Sequence, residues 1–307
     1  MNVHSPIQVE PEPLKRKDAG HPVRRAPTPD DLTITVRDLR FGRGKPSGRR
    51  WWLNGDPIAT AWHNALSATF PRGEAFFIES VKAFRDGTPP ELAADIRAFI
   101  TQEINHTREH LAFNKAATDA GYDLRRIDAH VEEMMAMTKG RPEIVNLAAT
   151  MALEHYTAVL AHELLSNPQH FAGSDPETAA MWRWHATEEI EHKGVAYDTY
   201  LHATRNWSRA KRWRLKSIMM LVVTKTFITH RVIDTLDLLA QDGLTGWKIK
   251  ARLAWYLLGK PGILRRIFPQ WVAYFMPRFH PWNHDNRALI ANAVNADARL
   301  SRGEKAS

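Results

Sequence analysis

An all-α fold, a four-helix bundle extended by further helices toward the C-terminus, is what this sequence predicts, and three observations predict it. From Trp51 onward apolar residues recur at helical spacing almost without interruption. Two long segments each carry a Glu-x-x-His pair, Glu103-Ile-Asn-His106 and Glu189-Ile-Glu-His192. Each of these is preceded, across a strong turn signal, by another helical segment with a glutamate in apolar surroundings.

Taken in order, residues 1–32 are rich in Pro, Arg and acidic side chains with few large apolar ones, which predicts a disordered arm without chemistry. Thr33-Ile-Thr-Val-Arg37 alternates as a short strand would, but Gly and Arg follow at once, so it reads as a lead-in segment. Helices are expected over 57–69, 71–86, 89–120, 123–138, 141–166, 175–204, 207–241 and 245–258, with shorter pieces to about residue 300. Asp86-Gly-Thr-Pro-Pro90 and Ser166-Asn-Pro168 mark turns, and Thr88 and Ser174 are the expected N-caps. The expected organisation is an arm (1–32), a metal-binding bundle (33–205) and basic, apolar helices packed on it (206–307).

Composition narrows the chemistry. With no cysteine, disulfides, zinc-thiolate sites, iron-sulfur clusters and cysteine nucleophiles are excluded together, so any metal must sit on His, Asp and Glu. Residues 1–50 hold 11 Lys and Arg against 6 Asp and Glu, residues 51–204 hold 12 against 22, and residues 205–307 hold 19 against 6. An acidic centre thus lies between basic flanks. No nucleic-acid-binding signature accompanies the basic flanks, and no nucleic-acid partner is expected. The N-terminus lacks the apolar core of a secretory signal, so a cytoplasmic location is expected, with the inner-membrane periphery as the alternative.

Positions i and i+3 of a helix project within about 60° of each other, so one helix can aim a carboxylate and an imidazole at a common point. Two-metal carboxylate bundles combine a Glu-x-x-His from each of two helices with one Glu from each of two others. In the first hairpin the turn centres near Thr88 and Glu103 lies about 15 residues beyond it, so an antiparallel partner about as far before it selects Glu74 over Glu79. In the second, Glu189 is matched in the same way by Glu154. The predicted ligands are therefore Glu74, Glu103, His106, Glu154, Glu189 and His192. His185, one turn before Glu189, is expected as a third imidazole, with His110 as its competitor or as a residue behind the ligands. Glu188 is expected to hydrogen-bond a ligand histidine. Hard oxygen ligands mixed with imidazoles suit iron, with manganese or zinc fitting less well.

Three stretches, Ala65-Leu-Ser-Ala-Thr-Phe-Pro-Arg-Gly-Glu-Ala-Phe-Phe-Ile78, Gln102-Glu-Ile-Asn-His-Thr-Arg-Glu-His110 and Trp182-Arg-Trp-His-Ala-Thr-Glu-Glu-Ile-Glu-His192, resemble the bacterial family of predicted metal-dependent hydrolases, as does Arg278-Phe-His-Pro-Trp282. The resemblance covers roughly residues 33–290. The His-x-x-x-Glu-x-x-His helix is also similar to that of the di-iron arylamine N-oxygenases, which implies a ferritin-like bundle with a third histidine on one metal. A di-iron oxidoreductase that activates dioxygen to oxidise a small apolar substrate, fed by an electron donor, is the first expectation. A hydrolase using a two-metal-activated water is the alternative. Phe76, Phe77, Leu153, Tyr156 and Trp184 are the expected apolar lining.

In the last third, the uninterrupted apolar run 218–223 is too short to span a bilayer, which takes about 20 residues. Basic residues and tryptophans beside apolar stripes at 207–225, 247–258 and 263–275 are expected to form core and lid helices over the site, with peripheral membrane contact as the alternative. A homodimer is the assembly to test.

Overall fold

Pro occupies the first turn of four helices, where its missing N–H has no intrahelical carbonyl to meet. The computed structural model describes residues 28–41 and 49–301, and among these it contains eleven α-helices and no strand. They are α1 (Pro57–Ser67), α2 (Phe70–Lys82), α3 (Pro90–Asp119), α4 (Arg125–Ala136), α5 (Glu143–Ser166), α6 (Pro176–His192), α7 (Val195–Ala203), α8 (Arg209–Gln241), α9 (Trp247–Leu258), α10 (Ile263–Ala273) and α11 (Arg287–Ser301). Residues 1–27 of the expected arm lie outside the described residues. Beyond them, Thr28 donates to Asp198 and Asp31 pairs with Arg287.

The bundle consists of two antiparallel hairpins, α2 with α3 and α5 with α6, joined face to face through α2 against α5 and α3 against α6. α4 lies on α2, α8 crosses α1 and α5, α10 lies on α5 and α9, and α11 covers α6. Among the described helices, α5 alone is long and apolar enough to cross a membrane, yet most of it is buried at the centre of the bundle. Its lack of a polar face is that of a helix surrounded by others.

Three local expectations need correction. The N-cap of α6 is Asp175, whose carboxylate accepts from Thr178 N at 2.9 Å; Ser174 Oγ instead donates backward to Phe171 O. Thr88 likewise donates to Arg85 O and leaves Pro89 at the start of α3. The single helix expected over 175–204 breaks after His192 into α6 and α7. The Trp282 indole fills the break, standing where a Cβ on Gly194 would come within 2.9 Å of its Nε1. The segment around Thr33–Arg37 is extended, as its alternation suggests, but it pairs with side chains of α3 and α6 rather than with another strand.

One buried ion pair fastens α8 to the bundle. Arg231 is fully buried and donates to Ala65 O (2.6 Å) and Thr69 Oγ1 (2.8 Å) at the end of α1, and to Asp234 (2.5 Å). Burial lowers the guanidinium to about 10, and the Asp234 carboxylate opposes that loss. Removing one partner leaves the other charge buried and alone, which costs about 3–5 kcal/mol. Asp234→Ala is therefore expected to lower the thermal unfolding midpoint markedly. The double change Arg231→Met with Asp234→Leu should recover most of the loss, as scanning calorimetry can check.

Candidate metal centre

Four helices of the bundle contribute to one buried cluster. Glu74 from α2, Glu103 and His106 from α3, Glu154 from α5 and His185, Glu189 and His192 from α6 are all buried there. Glu79, the rejected alternative, is 74% exposed and pairs with Lys82. His106 Nδ1 lies 3.6 Å from Glu103 and 3.7 Å from Glu189. His192 Nε2 lies 3.3 Å from Glu103, 3.4 Å from Glu154 and 3.4 Å from Glu189. Two overlapping groups that could hold a metal result: Glu103, Glu189 and His192 form one, and His106 joins His185 and Glu189, or Glu74 and Glu103, in the other, beside which Glu74 and His185 also come together with His110. Glu103 and Glu189 reach both.

The inward atoms lack partners. Both oxygens of Glu103 and of Glu154, one oxygen each of Glu74 and Glu189, and the nitrogens His106 Nδ1 and His192 Nε2 are buried without a hydrogen bond. Burial and the adjacent Glu189 and Glu188 push Glu103 well above the ordinary carboxylate range. Burial also raises Glu74, reinforced by Glu103, and raises Glu154, reinforced by Glu189. Glu189 falls well below that range, because His192 and His185 outweigh its own burial. Four buried carboxylates so close together repel one another unless protons or cations sit among them.

The outward atoms, by contrast, are all held. His106 Nε2 meets Glu188 at 3.1 Å, so Glu188 stands behind His106. Although burial alone would lower His106, that contact raises it. Glu188 accepts in addition from Trp184 Nε1 and Arg37 N. His192 Nδ1 donates to Gln102 Oε1 at 2.9 Å, and Gln102 Nε2 donates to Glu191, which is gripped by both guanidinium nitrogens of Arg37. Sequence reasoning missed Gln102, Glu191 and Arg37. Two of them were within reach, since Gln102 and Glu191 directly precede the predicted ligands Glu103 and His192 just as Glu188 precedes Glu189.

A second chain of bonds decides between His185 and His110. Asn114 Nδ2 donates to Ser67 O, which leaves its Oδ1 to accept from Ser67 Oγ at 2.7 Å. Ser67 Oγ must then accept from His110 Nδ1 at 2.8 Å, and His110 Nε2 must accept from His185 Nδ1 at 2.8 Å. Both nitrogens of His110 are consumed. The free lone pair belongs to His185 Nε2, 3.0 Å from Glu189 Oε1. Burial and nearby His106 lower His185 to about 4, so near neutral pH its ring carries no charge and this lone pair faces an ionised carboxylate. A cation between them would resolve that contact.

The aromatic surroundings differ from the expected lining. Trp184 stands edge-on to His106, Phe99 to His192, and Phe70 stacks on His185 at 5.1 Å. Tyr156 instead turns to α8, stacking on Phe227 and donating to Thr224. Trp184, next in sequence to His185, is one of the expected lining residues, whereas Phe70 and Phe99 stand one helical turn before Glu74 and Glu103 and were not foreseen. Phe279-His-Pro-Trp282 closes the far side, with His280 on Asp198 and the Trp282 ring 3.9 Å below Lys193 Nζ.

Two cavities adjoin this region. An apolar one of about 40 Å³ ends at His185 and is walled by Leu66, Phe70, Leu160, Leu164, Phe227 and Ile263 among others. The larger cleft, about 810 Å³, lies between α3 and the N-terminus of α6 and touches none of the seven inward residues. The family model of predicted metal-dependent hydrolases matches residues 35–285 of the chain. No curated protein and no solved structure matches it.

Two expectations follow from this geometry. Glu103→Ala or Glu189→Ala should abolish metal binding with the helical spectrum intact, whereas His185→Ala should retain metal with an altered optical spectrum. Elemental analysis and absorption read both. A carboxyl whose folded pKa is raised favours the fold below its ordinary value of 4.5 and loses that contribution as pH rises toward the folded value. Metal removes this penalty, so the gap in unfolding temperature between metal-loaded and chelator-stripped protein should widen as pH rises.

Proposed function

The chain belongs to the predicted metal-dependent hydrolase family, and from that premise we propose that the pocket between α2, α3, α5 and α6 holds two metal ions and that the protein hydrolyses a small apolar substrate. One observation supports the metal pair: Glu74, Glu103, His106, Glu154, Glu189 and His192 converge with eight buried atoms that have no hydrogen-bond partner, while the outward nitrogens of the same imidazoles are fixed by Glu188 and Gln102. Four carboxylates with neutral imidazoles are balanced by two divalent cations. Glu103 and Glu189 would be shared between them, with Glu154 and His192 on one side and Glu74, His106 and His185 on the other.

When bound, such a pair supplies Lewis acidity, polarising a carbonyl or phosphoryl oxygen and lowering the pKa of water. The protein's own part is orientation and exclusion of water. The Asn114, Ser67 and His110 chain fixes the tautomer of His185, and Phe70 and Trp182 shield that end of the pocket. The cavity at His185 is walled by aliphatic and aromatic groups and offers no Lys or Arg to a charged ester or phosphate. The character of these walls, rather than the cavity's volume of about 40 Å³, suits an uncharged acyl group.

A second reading, oxidation of an apolar substrate with dioxygen by a di-iron pair, is supported by the third imidazole. His185 adds a nitrogen donor that suits iron, and a hydrolase gains nothing from redox change. This reaction would also need an electron donor. Protein loaded with manganese or zinc should hydrolyse 4-nitrophenyl butyrate faster than 4-nitrophenyl phosphate, and Glu103→Ala should abolish the activity. If the loaded protein cleaves neither ester, while protein loaded anaerobically with ferrous iron develops a transient visible band on mixing with dioxygen, oxidation replaces hydrolysis as the function.

A further inference from the structure

Two stretches of the chain, 199–233 and 243–284, contain no Asp or Glu, and together they supply most of α8 and all of α9 and α10. Residues 209–278 hold 14 Lys and Arg against 3 Asp. Those three acids, Asp234, Asp237 and Asp242, are engaged by Arg231, Arg126 and Arg50 toward the C-terminal end of α8. The positive charge of the rest is not answered from within these helices.

The same helices are apolar where they face solvent. α9 buries Ile249, Leu253, Tyr256 and Leu257 against the protein, yet its outer face carries Trp247 at 74% exposure, Trp255 at 65% and Leu258 at 58%. A helix on a surface facing water should be polar on that side. Here Lys248, Lys250 and Arg252 only flank an apolar stripe. α10 continues it with exposed Phe268 and Val272, and α8 with Trp213, Leu221 and Val222. The two helices adjoin, because Trp271 Nε1 donates to Thr224 at 2.9 Å and Trp213 Nε1 donates to Phe275 O at 2.7 Å. Among the described residues, 11 of the 18 exposed large apolar side chains lie between residues 213 and 276. The core and lid role expected of these helices therefore accounts for only their inner faces.

We propose that α8, α9 and α10 form a docking surface for an anionic lipid bilayer. Tryptophans, leucine and phenylalanine would enter the headgroup boundary, while the flanking Lys and Arg contact lipid phosphates. Bilayer phosphates answer the charge and acyl chains answer the apolar stripe. A second copy of the chain would meet this face with the same excess of positive charge. A nucleic acid would answer the charge but would leave Leu221, Val222 and Leu258 without an apolar partner.

Flotation of the full chain with vesicles tests this. The protein should float with phosphatidylcholine vesicles containing about 30% phosphatidylglycerol at low salt, much less with pure phosphatidylcholine, and less again in about 0.5 M NaCl. Replacing both Trp247 and Trp255 by Ser removes only exposed groups, so circular dichroism should be unchanged while binding falls about tenfold or more. Lys248→Gln with Arg252→Gln should weaken binding and flatten its salt dependence. The proposal is overturned if the protein does not float with phosphatidylglycerol vesicles at low salt, or if the tryptophan pair leaves flotation unchanged. It also fails if the same pair converts a dimer to a monomer in sedimentation without any lipid binding.

Discussion

The rest of the structure is arranged around one electrostatic constraint, four carboxylates brought together inside a helical bundle. An ion buried without compensation costs several kcal/mol, and the whole stability of a domain is about 5–15 kcal/mol. Glu74, Glu103, Glu154 and Glu189 could not all be ionised in this pocket without cations among them. The inward atoms are left without protein partners, while both ring nitrogens of the neighbouring His110 are satisfied. Eight of the unpartnered buried atoms converge on this one point from four helices, whereas the others, such as Asn146 Oδ1, Ser217 Oγ and Tyr274 Oη, belong to residues outside the cluster.

That constraint explains why the extended segment before the bundle matters. Thr35 and Arg37 bind Glu191 and Glu188 through backbone N–H groups and the guanidinium, and Thr35 O receives Gln102. One short stretch without secondary structure thereby fixes the groups behind His106 and His192. The Ser67 and Asn114 pair does the same for His185 from α1 and α3. All three imidazoles are oriented by hydrogen bonds that leave one nitrogen facing the pocket. Such outer groups usually tune a metal site strongly.

How much of this could be read from the sequence depended on distance along the chain. Helical periodicity and the two Glu-x-x-His pairs gave the all-α fold and placed Glu103, His106, Glu189 and His192 on their helices. The equal depth of antiparallel partners distinguished Glu74 from Glu79, because a hairpin fixes which positions face each other. His185 was visible as one turn before Glu189. Whether His185 or His110 faces the pocket was not legible, since the answer lies in a relay ending at Ser67 and Asn114, which only the packing of α1 on α3 brings together. Arg37 was invisible for a similar reason. The break at Gly194 was hidden because its cause, Trp282, is far along the chain.

The C-terminal helices show the limit of pattern reading most clearly. Their apolar stripes fit burial, and the inner faces are indeed buried, but a helix such as α9, apolar on two faces with Lys248, Lys250 and Arg252 between them, leaves the sequence unable to say what covers its second face. Only the packing shows that no described part of the chain does. The apolar cavity ending at His185 is walled on one side by Phe227 of α8 and Ile263 of α10, two of the helices whose outer faces are apolar. An apolar compound dissolved in a lipid phase would meet these helices first, on the side from which Phe227 and Ile263 wall the cavity at His185. The basic, tryptophan-rich exterior and the buried, carboxylate-lined interior would then serve one task, bringing a poorly water-soluble molecule to a site that water must not freely enter.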